Sequence, residues 1–306
     1  MLYFGLNGLH AIWPQIPDIL VSYKPLALFQ VRPWISVGYT EMWFSLAGIG
    51  FFYLLPSDIL FSLWFFFLLA RFQELVGGME GSFTPLDVVG YFISRSRLRV
   101  ANLTLFSFSD ALFSRDLRGI VLTGFLDSQK LADETKLARR KLLAVFVAAI
   151  IFAIVVGGVL HVWLPYRHGA VTMYGYVYRG NSNQFWHENQ SFITIEEPYN
   201  PRKLASFFSG VALCAGSGLM RRHYLWWPLH PLGAALSVSW ILCVFWFPML
   251  VAWLIKTVIT RYGGVKLYLK LRPAFLGLIF GEYFMAVLWV VISWFFGTEV
   301  PRFPWP

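Results

Sequence analysis

The sequence predicts an all-α fold, namely a multi-pass membrane helix bundle of about 4–6 membrane segments with at least one broken or re-entrant segment. Amphipathic helices are expected at its interface with water. Of the 306 residues, 58% are apolar, 19% are aromatic and 13% are charged, whereas about a quarter of a soluble domain is charged. So few charges cannot cover a water-facing surface, and lipid must be much of the solvent. The composition argues against a soluble enzyme and excludes a disordered chain.

The net charge of +9 has an explanation that does not involve nucleic acid. Lys and Arg stand mainly between apolar runs, where membrane proteins carry positive charge next to anionic headgroups. We therefore expect the lipid bilayer, and no nucleic acid, as a partner. The two cysteines, Cys214 and Cys243, lie inside apolar runs and are interpreted as packing residues.

Residues 1–41 are predicted to form an interfacial or protein-packed segment. Their apolar sequence is interrupted by Pro14, Pro17, Pro25 and Pro33. A proline inside a helix removes a backbone hydrogen bond, so this segment is not expected to be one unbroken helix.

Residues 42–71 are predicted to form the first broken membrane segment. The sequence is apolar from Met42 to Ala70 and is interrupted once, at Pro56, Ser57 and Asp58. A continuous helix of this length would reach about 43 Å, well beyond a hydrocarbon core of roughly 30 Å. The sequence therefore predicts a kinked, tilted or discontinuous span here.

Residues 72–141 are predicted to form an amphipathic region on the cytoplasmic side, because basic and acidic residues alternate there. Its last part, DSQKLADETKLARRKLLAV, is rich in strong helix formers and is expected to run directly into the next span.

Residues 142–306 are predicted to form a helical membrane domain. Its most regular span, Leu142 to Leu164, is expected to end at Pro165. Residues 166–203 are interpreted as an outer loop, in which the alternating sequence YGYVYRG suggests a short strand.

Three further apolar runs, Leu204–Met220, Leu232–Ile255 and Pro273–Gly297, raise a problem of topology. If each run crosses the membrane, the basic residues divide almost equally between the two sides, contrary to the excess expected in the cytoplasm. If one of the first two runs returns instead, the basic stretch KTVITRYGGVKLYLKLR moves to the cytoplasm. The sequence therefore predicts a re-entrant or broken element between Leu204 and Ile255.

Glu282 is the sharpest candidate for a functional residue. It lies ten residues into a long apolar run, where a carboxylate is costly unless it faces protein, water or a cation. Two interpretations stay open: an ion- or proton-linked group in a transport path, and a protonated or hydrogen-bonded carboxyl that locks two helices together. Gly277 and Gly281 form a GxxxG motif just before it, which predicts close packing against another helix.

Asp58 also has two interpretations. It follows Pro56 and Ser57, so it could be the N-cap of a helix that begins near Ile59. Alternatively, it could line a pathway at a discontinuous helix, as broken helices at membrane depth often do.

The stretch RRHYLWWPLHPLG carries a third group of candidates. Arg221, Arg222, Trp226 and Trp227 are interpreted as interfacial basic and aromatic residues, because aromatic belts and basic residues mark membrane surfaces.

No motif for nucleotide binding, zinc proteolysis or serine hydrolysis occurs in the sequence. The histidines do not form a metal-ligand pattern. We therefore expect no catalytic residues, no metal, no cofactor and no enzyme activity.

Four stretches carry a family resemblance: GLNGLHAIWPQIP, YLLPSDILFSLWFFFLLARFQ, NLTLFSFSDALFSRDLRG and the long stretch from Arg221 to Glu282. In this order they resemble an uncharacterised family of large bacterial multi-pass membrane proteins with a domain of unknown function. The family is distantly similar to oligopeptide-transporter-like proteins, in which re-entrant hairpins and broken helices surround the substrate path. The resemblance implies location in the bacterial inner membrane. It implies a shortened relative, because family members have additional helices near MEGSFTPLDVVGYF.

Two functions stay open. The first is transport of an unknown small substrate or ion, along broken elements near Asp58 and between Leu204 and Ile255. The second is a non-catalytic structural or accessory subunit that packs against partner helices, lipids or pigments. A homo-oligomer or a larger membrane complex is expected in either case.

Overall fold

The computed structural model describes most of the chain. The described residues are 2–24, 40–77, 99–113, 121–136, 139–173, 175–180, 183, 186–187, 190, 193–194, 201–224 and 226–297. Two compact units are formed, Met1–Ser82 with Ala205–Pro306, and Phe83–Leu204. The protein is mostly helical, which confirms the predicted all-α class.

The elements follow one another along the chain as a series of helices with one pair of short strands. In chain order they are α1 (Leu2–Ile12), β1 (Ser22–Tyr23), β2 (Met42–Trp43), α2 (Leu46–Leu54), α3 (Ser57–Gly77), α4 (Val100–Phe113), α5 (Val121–Thr135), α6 (Arg139–His168), a 3₁₀ turn (Ala170–Thr172), a π-helical turn (Tyr176–Gly180), α7 (Pro201–His223), α8 (Pro231–Leu236) and α9 (Trp240–Phe296). The two strands pair antiparallel, with Ser22 opposite Trp43 and Tyr23 opposite Met42.

The first apolar segment is broken where the sequence predicts a break. α2 ends at Leu54, Leu55 has an extended backbone, and α3 begins at Ser57. Pro56 stands between them and has no N–H with which to continue the first helix. With nine residues, α2 is only about 14 Å long, roughly half the thickness of a hydrocarbon core. Asp58 is not at the predicted N-cap position, because α3 begins one residue earlier and Asp58 lies inside its first turn; its carboxylate still accepts a hydrogen bond from the Ile59 N–H at this helix start.

α9 consists of two helical arms instead of one straight helix. Gly264 separates them with φ 63° and ψ −170°, a conformation that glycine adopts because it has no Cβ. We call residues 240–263 the first arm and residues 265–296 the second arm. The sequence predicts two separate apolar runs with a basic connection, whereas the basic stretch from Lys256 to Arg272 is helical on both sides of Gly264.

Both arms of α9 pack against α2. Phe245 of the first arm contacts Phe52, with ring centroids 5.9 Å apart. Phe275 of the second arm stacks on Tyr53 at 3.7 Å. The apolar core of this unit therefore joins α2, α3 and the first arm: Ile49, Phe52, Leu60, Leu63, Phe67, Leu242, Cys243, Met249 and Ala252. Neither cysteine forms a disulfide within the described residues, and Cys243 lies in this core, as its apolar context predicts.

The region between Leu204 and Ile255 contains a broken run. Leu204–Met220 lies within the continuous helix α7. In contrast, Leu232–Ile255 is divided between α8 and α9, because α8 ends at Leu236 and α9 begins at Trp240. The second of these two runs is therefore broken, which is one of the two predicted alternatives. Whether either run re-enters the membrane stays a prediction.

The second unit corrects three predictions about local structure. The helix expected to run from residue 127 into the next span is interrupted, since α5 ends at Thr135 and Lys136 has a positive φ of 56°. The span expected to end at Pro165 continues to His168. A proline so near a C-terminus removes only one hydrogen bond, and its φ suits a helix.

The third correction concerns the outer loop, residues 166–203. The expected strand is instead the π-helical turn Tyr176–Gly180, and α7 already begins at Pro201. Alternation over so few residues did not outweigh local helical hydrogen bonding. The prolines Pro25 and Pro33 and the stretch MEGSFTPLDVVGYF lie outside the described residues.

Two helices of the described residues are long and apolar enough to cross a membrane. They are Leu142–His168 and Trp240–Phe296. No residue in the most apolar window of the first is buried. The predicted number of about 4–6 membrane segments stays a prediction.

Candidate functional site at the ends of helix α2

The N-terminus of α2 is held by two side chains. Ser45 is the N-cap, and its Oγ accepts the Gly48 N–H at 2.9 Å. Glu282, which is 5% exposed, accepts the Ala47 N–H at 2.7 Å through Oε2 and the Ser45 hydroxyl at 3.0 Å through Oε1. The first N–H groups of a helix have no partner within the helix, and they attract negative charge. The buried carboxylate therefore has donors for both of its oxygens.

The C-terminus of α2 is held by a buried cation. Lys256 of the first arm is 7% exposed, and its Nζ donates a hydrogen bond to the carbonyl oxygen of Leu55. The ammonium group also lies 4.8 Å from the ring centroid of Tyr268 and 5.9 Å from that of Tyr53. Positive charge is favourable at a helix C-terminus, and aromatic faces attract cations.

Glu282 and Lys256 together place opposite charges at the two ends of one short helix. We call these two residues the charged caps of α2. One cap comes from each arm of α9, so the pair fixes α2 against both arms. Each charge matches the partial charge of the helix end that it contacts.

The sequence identifies Glu282 but misses Lys256. Lys256 stands at the end of an apolar run, next to further basic residues, so it is counted as a loop charge in the sequence analysis. Its partner, Leu55, is 201 positions away. Nothing local in the sequence distinguishes Lys256 from the basic residues that follow it.

A close helix contact lies at Gly50 of α2 and not at Gly277 of the predicted GxxxG motif. A Cβ built on Gly277 would meet nothing within 4 Å. A Cβ built on Gly50 would lie 2.5 Å from the carbonyl oxygen of Phe275. Gly281 is buried beside Glu282, whereas Gly277 lies on an open side of the second arm, so close packing of another helix at Gly277 stays a prediction.

A second buried acid, Glu41, precedes α2 and is also missed by the sequence analysis. It forms an ion pair with Lys24 at 2.6 Å and accepts the Trp43 indole N–H at 2.6 Å. Trp246 of the first arm donates to the Glu41 carbonyl oxygen at 2.8 Å. These contacts anchor the segment that leads into α2.

Asp58 lies at an open pocket beside the break between α2 and α3. Its carboxylate forms an ion pair with Arg221 near the end of α7. The pocket has a volume of about 290 Å³, and its lining residues are Asp58, Arg221, Tyr224, Trp226, Trp227 and Pro228. The structure therefore brings Asp58 together with three residues of the interfacial basic and aromatic group, Arg221, Trp226 and Trp227. Arg222 is exposed and is not among the lining residues.

Helix α8 fixes one wall of this pocket. The backbone N–H of His230 donates to Ser62 Oγ at 2.6 Å. The Ser62 hydroxyl donates to the backbone carbonyl oxygen of Asp58 at 2.7 Å. His230 Nδ1 accepts the Leu232 N–H at 3.1 Å as the N-cap of α8. Burial, together with the charge of Arg221, lowers the pKa of His230 below its ordinary value, although Asp58 opposes this shift. The neutral ring is the form that can accept this hydrogen bond.

No group of three or more potential metal ligands occurs among the described residues. The oxygens of Glu282 are both occupied by protein donors.

Comparison with known proteins gives one result. No curated protein and no solved structure matches the chain. The sequence profile of a family of unknown function (DUF6785) matches residues 1–83 and 78–305, which together span almost the whole chain. The protein therefore belongs to this family of unknown function.

Proposed function

We propose that the protein is an integral membrane protein of the transport type that carries an unknown small substrate or ion. The observation that supports this proposal is the half-length helix α2, whose N-terminus is buried against the Glu282 carboxylate. Transporters typically use such discontinuous helices, with N-termini that face anionic groups near the middle of the bilayer. In this chain a protein carboxylate takes the place of such a group.

The length of the second arm of α9 agrees with a position of Glu282 near the middle of the bilayer. From Arg272, the last basic residue after the turn, to Glu282 the second arm rises by about 15 Å at 1.5 Å per residue, which is half of a hydrocarbon core of roughly 30 Å. The turn at Gly264 is surrounded by exposed basic residues, Arg261, Lys266, Lys270 and Arg272, which favours the cytoplasmic surface for the turn. Glu282 then lies deep in the bilayer, and α2 extends from it toward the cytoplasmic side.

Of its two interpretations, Glu282 fits the helix-locking role better. Its two oxygens contact the Ala47 N–H and the Ser45 hydroxyl of α2 and its N-cap. The group therefore positions α2, and the ion- or proton-linked role is the alternative. We propose no enzyme activity, and a location in the bacterial inner membrane.

A structural or accessory subunit is the second candidate function. It is favoured by α6, because no residue of the most apolar part of Leu142–His168 is buried. Such a helix needs lipid or the helices of a partner around it. Purification in mild detergent separates the two proposals, since a stoichiometric larger assembly supports the accessory function and a homo-oligomer supports transport.

The transport proposal predicts water at the N-terminus of α2. Phe44, next to the N-cap Ser45, is exposed, as is Phe152 in the middle of α6. In a variant without Cys214 and Cys243, Phe44→Cys should react with a charged, membrane-impermeant thiol reagent in sealed vesicles. Phe152→Cys should not react, because it faces lipid. A cysteine at Thr260, near the basic turn, should react only from the cytoplasmic side.

Failure of Phe44→Cys to react from either side would remove the water-filled path and contradict the transport proposal. Reaction of Thr260→Cys only from the outside would overturn the orientation of α9.

A further inference from the structure

The pocket beside the break between α2 and α3 offers both signs of charge to a ligand. The side chains of Asp58 and Arg221 are 33% and 38% exposed although they form an ion pair. A guanidinium group has five N–H donors and a carboxylate has two acceptor oxygens, so both retain bonding capacity toward the pocket. The charges are thus held a short distance apart at one open surface.

The aromatic walls of the pocket provide a surface that attracts a cation. Trp226 is 72% exposed, and its ring centroid lies 5.9 Å from that of Tyr224 and 5.7 Å from that of Trp227. Exposed indole faces attract ammonium groups. The indole Nε1 of Trp227 is fully buried, so Trp227 offers the pocket its ring and not its N–H.

The walls of the pocket are held in place by close packing. Ser62 links the backbone of Asp58 to that of His230. A Cβ on Gly233 of α8 would lie 2.5 Å from the Ser62 carbonyl oxygen, so α8 approaches α3 closely. The backbone of Asp58 is thus fixed before a ligand arrives, which reduces the conformational entropy lost on binding.

The charges select the class of ligand. A simple anion is repelled by Asp58, and a simple cation is repelled by Arg221. A small zwitterion satisfies both groups. A volume of about 290 Å³ is at the small end for ligand pockets, which suits a headgroup and excludes acyl chains.

We propose that this pocket binds a zwitterion of the phosphoethanolamine type. Its ammonium group contacts Asp58 and the face of Trp226, and its phosphate contacts Arg221. The ligand could come from a phosphatidylethanolamine headgroup or from a soluble phosphoethanolamine. The proposal is independent of transport, because the pocket lies at the other end of α2 from Glu282.

Native mass spectrometry of the full chain in detergent micelles tests the proposal. Phosphatidylethanolamine should be retained about tenfold more strongly than phosphatidylglycerol, because only the former has an ammonium group for the aromatic face and the carboxylate. A competition arm with O-phosphoethanolamine identifies the source. If O-phosphoethanolamine displaces the bound phosphatidylethanolamine, the pocket also accepts the soluble compound. If the lipid is retained in its presence, the lipid headgroup is the ligand.

Substitutions locate the binding. Trp226→Ala and Arg221→Gln should each lower the retention of phosphatidylethanolamine about tenfold. Arg261→Gln and Trp294→Ala, exposed residues on α9, should leave it unchanged. If Arg221→Gln does not fold, the exposed Trp226 decides the test. Equal retention of the two lipids, or equal losses in the α9 variants, would overturn the proposal.

Discussion

Glu282→Leu is expected to destabilise the protein by about 2–4 kcal/mol, because it leaves two buried donors without an acceptor. The Ser45 hydroxyl and the Ala47 N–H both donate to this buried carboxylate. The negative charge at the N-terminus of α2 is lost as well. Glu282→Gln keeps one acceptor oxygen, so about half of the loss is expected from this variant.

Unfolding in mixed detergent micelles, followed by circular dichroism, measures the effect. Glu134→Gln is the matched control, since this exposed glutamate on α5 lies in the other unit. A Glu282→Leu variant as stable as the parent protein would contradict the locking role. Loss of a transport activity in Glu282→Gln without loss of stability would instead support the ion- or proton-linked role.

Gly50→Ala has the second largest expected effect. The added Cβ would lie 2.5 Å from the carbonyl oxygen of Phe275 and 2.9 Å from Cγ1 of Ile279. Backbone cannot rotate away as a side chain can, so α2 and the second arm must separate. Overpacking of this kind costs about 1–3 kcal/mol.

Gly277→Ala provides the comparison for this prediction. Gly277 also lies on a helix, but its added Cβ would meet nothing within 4 Å. Replacement of an unconstrained helical glycine by alanine is expected to be neutral or to stabilise by about 0.5–1 kcal/mol. The melting temperatures of the two variants in the same detergent decide the matter. A larger loss in Gly277→Ala would mean that the GxxxG motif is the packing surface after all.

Local sequence signals were sufficient for the break in the first apolar segment. Pro56 removes a backbone donor, and the polar residues after it favour a new helix start, so the interruption between α2 and α3 is predictable. The role of Asp58 is not predictable in the same way. Its partner Arg221 is far away in the sequence, and an ion pair between distant helices leaves no periodic pattern.

The contacts of the charged caps of α2 could not be predicted from the sequence either. Glu282 can be selected because a carboxylate inside an apolar run is costly without partners. The partners themselves lie 235 and 237 positions away, on α2. Lys256 is missed because a lysine at the end of an apolar run usually faces water, whereas here a helix that folds back at Gly264 buries it. Close packing at Gly50 depends equally on which helices meet.

Cysteine cross-linking in membrane vesicles tests most directly whether α2 lies between the two arms of α9. In a variant without Cys214 and Cys243, one cysteine pair replaces Phe52 and Phe245, and a second pair replaces Tyr53 and Phe275. These pairs join α2 to the first and to the second arm, at ring distances of 5.9 Å and 3.7 Å. We predict that both pairs cross-link with a short thiol reagent. Absence of the cross-link to either arm would contradict this arrangement and the charged caps that depend on it.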